Sequence, residues 1–127
     1  MRLCQTILAT FVFMVLSACA PMVVSVPATL SPHADAATFQ LKTGVRFTLP
    51  TGYSRELPSG SSWQANGRLP QGIVYRPLNT VFTIEGRQAH EAQLVIDNAR
   101  LVGFYLPAEG RYSSLDVPIQ LPLKEPQ

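Results

Sequence analysis

"EAQLVIDNARLVGFYLP", residues 91–107, decides the fold, because two incompatible structures can be read from it. As part of a helix from Gln88 to Val102, it sets Ala92, Val95, Ile96, Ala99 and Val102 at helical spacing. As a hairpin, it puts Ala92, Leu94 and Ile96 on one face, turns at Asp97-Asn98, and returns with Val102, Phe104 and Leu106 aligned. Asp and Asn tolerate the left-handed conformations of tight turns. Periodicity alone leaves so short an apolar run ambiguous. The β-branched pair Val95-Ile96 and the aromatic "GFYLP" favour strands.

The flanks share the two-residue period. In "TFQLKTGVRFTLP", residues 38–50, Phe39 and Leu41 fall on one face, and Val45, Phe47 and Leu49 repeat the alternation against Arg46 and Thr48. Phe82 and Ile84 in "TVFTIEG" are likewise placed together. Leu-Pro pairs punctuate the chain: "LPTG" at 49–52, "LPSG" at 57–60, "LPQG" at 69–72 and "LPAEG" at 106–110. Proline presets the second residue of a turn and glycine suits the last, so each copy marks a strand end. Near the C-terminus Val117, Ile119 and Leu121 alternate, with Pro118 and Pro122 restricting that piece to an edge. The expectation is an all-β domain over residues 38–121, a small antiparallel barrel or roll of six or seven short strands, followed by a tail at 122–127.

The N-terminal region has a different composition. Arg2 precedes the apolar run "ILATFVFMVL" at 7–16, which has the length of a signal-peptide core. A membrane-spanning helix needs about 20 apolar residues, and this run is short for one. Ser17 and Ala18 then precede Cys19. The stretch "LSAC", Leu16 to Cys19, resembles the lipobox of bacterial lipoprotein precursors. The resemblance covers only the leader and implies removal of residues 1–18, a diacylglycerol on the Cys19 thiol and acylation of the new amine. Ala20, in place of the aspartate that retains such proteins at the inner membrane, implies an outer-membrane location facing the periplasm. Residues 20–37, "APMVVSVPATLSPHADAA", read as a flexible tether rich in Pro, Ala and Ser. In the alternative reading "MVVSV" adds an edge strand.

Several function classes are disfavoured. The chain carries ten Lys and Arg against eight Asp and Glu, with the arginines spread singly, so no basic stripe points to nucleic acid. Cys4 falls in the leader and Cys19 is consumed by the lipid, which leaves no thiol for a disulfide or a CxxC metal site. No metal or cofactor is expected beyond the covalent lipid. His90 and Glu91 are strand neighbours that point to opposite faces, Glu85 can meet His90 across a turn, and "SGSSW" at 59–63 is no nucleophile elbow. No catalytic residue is assigned.

Tyr and Trp have an apolar body with a polar tip and are enriched at interfaces. Trp63, Tyr53 and Tyr112 lie beside Gly, Ser and Pro punctuation and are the candidate partner contacts. The expected function is a non-enzymatic envelope lipoprotein that touches the membrane through its anchor and binds an envelope protein. An inhibitor of a wall-degrading enzyme is the alternative, and a wall-acting or polysaccharide-acting hydrolase a weaker one.

Overall fold

The structure is a computed structural model that describes residues 21–123. The leader and Cys19 fall outside the described residues. Every regular element among the described residues is a strand. In chain order these are β1 (Val26–Pro27), β2 (Thr38–Gln40), β3 (Val45–Thr48), β4 (Ser54–Leu57), β5 (Ser62–Leu69), β6 (Gly72–Pro77), β7 (Thr83–Glu85), β8 (Ala89–Glu91), β9 (Gln93–Asp97), β10 (Arg100–Leu106) and β11 (Arg111–Gln120). Seven form one sheet in the order β1-β11-β10-β9-β6-β5-β2, and β3-β4 and β7-β8 are separate hairpins. All pairings are antiparallel.

Residues 93–106 form the hairpin, with Arg100 paired to Asp97 and Asn98 and Ala99 both at positive φ. Two such residues are the signature of the turn whose twist matches that of the flanking strands. Each Leu-Pro copy ends a strand. Gly52 donates its N–H to Leu49 at 2.8 Å and Gly110 to Leu106 at 2.9 Å, and both glycines take the positive φ that a side chain resists.

The alternation breaks at two bulges. Between Leu101 and Gly103 the register of β10 shifts, so Val102 is the extra residue. Leu101, rather than Val102, therefore joins Phe104 and Leu106 in the larger core. The second bulge, at Asn66 in β5, sends Trp63 to one face and Leu69 to the other. The larger core lies under the β3-β4 and β7-β8 hairpins and has an aromatic spine. Trp63 meets Phe82 edge to face at 5.9 Å, Phe82 stacks on Phe104 at 6.1 Å, and Phe104 on Phe47 at 5.8 Å. A smaller core of Leu69, Val74, Val95, Tyr105 and Tyr112 fills the opposite face.

The segment expected as a free tether covers that second face. Val26 pairs with Tyr112, Ala28 donates to Gly110, Ala28 and Leu30 pack on the smaller core, and Ser31 bridges to Arg68 with bonds of 2.9 and 2.8 Å. The composition misleads because a strap across a sheet face makes few ladder bonds and so tolerates proline. Gly67 makes the crossing possible: a Cβ there would come within 2.6 Å of Leu30 Cγ.

The sheet does not close into a barrel. Its corners meet at two isolated bridges, Ser31–Arg68 and Leu41–Leu123. A flat sheet would set β1 and Ser31 six strand spacings apart, about 29 Å, whereas the four residues from Pro27 to Ser31 reach at most about 14 Å. Strong twist brings these corners together. Seven strands in the main sheet match the upper expected number, and the two hairpins are additional. Val117, expected to face inward, is 72% exposed, because β11 leaves β10 between Ser114 and Ile119.

Phe104 is 1% exposed at the middle of the spine. Phe104→Ala is expected to destabilise the domain by about 3–5 kcal/mol. Urea unfolding followed by circular dichroism checks this, and an unchanged midpoint would remove Phe104 from the core.

Candidate functional site

Two of the three aromatic residues expected at a partner surface are interior. Trp63 is 2% exposed, with its indole N–H donating to Ser61 Oγ at 3.0 Å. The loop composition of "PSGS" ends at Ser61, and the alternation of Trp63, Ala65 and Leu69 with Gln64, Asn66 and Arg68 makes this stretch a strand. Tyr112 is 7% exposed and donates its hydroxyl to the Val102 carbonyl at 3.2 Å. Only Tyr53, on the β3-β4 turn, is exposed. The three are thus not brought together as one surface.

The acid and base candidates are also dispersed. His90 faces Ile84 in the β7-β8 pairing, and its Nδ1 lies 2.8 Å from Glu109 Oε1. Glu85 pairs elsewhere: Oε1 accepts the Thr83 hydroxyl at 2.9 Å, and Oε2 lies 3.5 Å from Arg55 Nε. The Arg55 guanidinium sits 5.0 Å over the Phe82 ring. Arg55 thereby ties the β3-β4 hairpin to β7, a structural use of the charge.

The surface best built for binding lies at the open edge of β2. Ala65 donates to the Ala37 carbonyl and Leu41 to the Ser61 carbonyl, so the odd-numbered residues of β2 and its flanks face β5. Alternation then turns the backbone groups of Thr38 and Gln40 away from β5, toward the side that has no strand among the described residues. The next residue in that series, Lys42, donates to the Pro122 carbonyl at 3.2 Å. β2 and the C-terminal end of β11 therefore touch at Lys42–Pro122. Beside that contact lies a groove of 780 Å³ lined by Phe39, Gln40, Tyr75, Leu78, Gln120 and Leu121, among others. Phe39 and Tyr75 form an edge-to-face pair at 4.9 Å along it. Burial pushes the Tyr75 phenol above its usual pKa, as it does for Tyr112 in the smaller core.

The groove offers a strand edge that is unpaired among the described residues, with an aromatic wall and neutral polar groups, the arrangement that accepts an added extended strand. Sequence reasoning missed it. A three-residue strand between loops has too few alternating positions to announce itself, and the approach of β11 is a property of the whole sheet. Among the described residues no group of three or more His, Cys, Asp or Glu could hold a metal ion. The chain matches no protein-family model, and comparisons with curated proteins and with solved structures yield no match.

Trp63→Ala is expected to destabilise the fold by about 3–5 kcal/mol, and Tyr53→Ala to change it by less than about 0.5 kcal/mol. Equal melting curves for the two variants would reject the burial assignment. Alkaline pH tests the phenols. Because the folded pKa of Tyr75 and Tyr112 lies above the ordinary 10.0, the unfolded chain loses these protons first. Their contribution to stability is present below about pH 10 and declines above it. Urea midpoints measured from pH 9 upward are expected to fall beyond that point, and less steeply in Tyr75→Phe.

Proposed function

We propose that the protein is an outer-membrane lipoprotein, anchored through Cys19 and facing the periplasm, that acts as a non-enzymatic interaction module in the cell envelope. The anchor rests on "LSAC" following an apolar run of signal-peptide length. The observation that carries the interaction role is the groove beside β2, where the backbone of Thr38 and Gln40 is turned to a side with no strand among the described residues, next to Phe39 and Tyr75. Its ligand is an extended segment of an envelope protein, held by main-chain hydrogen bonds along β2 with alternate side chains against the aromatic wall. Among the described residues the lining has no charged side chain, so the segment is apolar and neutral polar in character.

Two measurements test the reading. Labelled palmitate is expected to enter the wild-type protein, while Cys19→Ser remains unacylated and accumulates as the uncleaved precursor. Incorporation in neither would remove the anchor. A photoreactive residue at Gln40 or Gln120 is expected to give a discrete adduct with an envelope protein in living cells, and the same residue at exposed Arg46 none. Adducts equal at all three positions, or absent from the first two, would reject the groove as the contact.

A further inference from the structure

The folded chain begins much closer to Cys19 than a tethered domain would allow. The Pro21 carbonyl accepts the Arg87 N–H at 3.0 Å, Val23 packs against the larger core, and the Val24 carbonyl accepts the Ser113 hydroxyl at 2.8 Å. From Cys19 to Pro21 the chain advances two residues, a reach of at most about 7 Å. On the lipoprotein reading proposed above, the acyl chains on Cys19 therefore hold this end of the domain against the bilayer rather than at a distance from it.

The surface at that end has matching chemistry. The extended run from Met22 to Val26 alternates, with Val23 and Ser25 turned inward and Met22, Val24 and Val26 outward at 60%, 79% and 50% exposure. Three apolar side chains thus form a row on one outer edge, where water is their neighbour in the free domain. The charges around the row show no positive excess. Arg87, Arg111 and Glu109 line the adjoining groove with Met22 and Val24, and Glu85 and Asp116 line a second groove with Val23 and Val24.

We infer that the Met22-Val24-Val26 edge is a membrane-contact surface, seated in the headgroup region of the bilayer that holds the Cys19 lipid. The occupant is the lipid surface itself because the anchor length allows nothing of protein thickness between them. With no excess of positive charge on the rim, contact depends on apolar burial and tether length and not on anionic lipid. β10 spans about 20 Å from Leu106, which lines a groove with Met22 and Val24, to Arg100, so the Asn98 turn lies far along the strands from that part of the edge.

The test uses the mature lipidated protein in phosphatidylcholine vesicles, with and without phosphatidylglycerol. Because the lipid occupies Cys19 and Cys4 leaves with the leader, Val24→Cys and Asn98→Cys each give one free thiol for an environment-sensitive fluorophore. A quencher carried on the lipid headgroup region is expected to remove most of the emission at position 24 and little at position 98, equally in both vesicle types. Equal, weak quenching at both positions in protein that still floats with the vesicles would overturn the membrane contact and leave the anchor standing. Failure to float, with no acyl mass on Cys19, would overturn both. Quenching at position 24 only with phosphatidylglycerol would replace apolar contact by charge attraction and reject the inference as stated.

Discussion

Each strand of a twisted sheet is rotated by about 20–25° against its neighbour, and across this seven-stranded sheet the rotation carries diagonal corners toward one another. One diagonal closes where Ser31 meets Arg68 over the smaller core. The other closes where Leu41 meets Leu123 beside the larger one. The result is a saddle with an apolar cluster in each hollow, and neither hollow has a closed ring of strands around it. Bulges at Asn66 and Val102 increase the local twist and let β5 contribute to both clusters. The groove at β2 follows from the same shape, because two twisted edges that touch at one point must separate on either side of it.

The N-terminal strap has the part in this arrangement that a further strand would have in a barrel. It satisfies the open side of β11 at Val26 and that of β5 at Ser31, and between them it covers apolar side chains that would otherwise face water. Its hold is made of specific contacts: the Arg111 guanidinium donates to the Ser25 hydroxyl and carbonyl, both at 2.7 Å, and Leu30 lies over the bare face of Gly67. Neither core has a disulfide, so packing and these ties carry the fold.

Local rules made the strands and turns legible. The hairpin of β9 and β10, with its turn at Asn98-Ala99 one residue later than expected, the inward set Phe47 and Leu49, and the four Leu-Pro strand ends all follow from two-residue periodicity and turn chemistry, which act over a few residues. What was not legible depends on partners distant in sequence. The bulge at Val102 exchanges it with Leu101 in the larger core, and nothing in "RLVGF" shows that a residue will be skipped. Trp63 looked like loop because serine and glycine precede it, although buried and polar residues alternate after it as in a strand. The strap has the proline and alanine content of a linker because both make few ladder bonds. At the candidate site, Phe39 was readable as inward-facing, but the groove beside it exists only once the C-terminal strand has arrived.

The bonds that join the strap to β11 connect residues 86 and 89 positions apart in the chain. Contacts of that separation have to wait for nearly the whole polypeptide, and a topology built on them folds slowly compared with one made of local contacts. Until residues 111–114 have emerged, β1 has no partner, and the first half of the molecule cannot complete either hollow. On the proposed lipoprotein reading, in which the chain is threaded through a translocation channel N-terminus first, this ordering would be protective. The earliest part to cross is the last to become committed to structure, so it stays threadable while the remainder follows, and the domain locks only when both of its ends are on the same side.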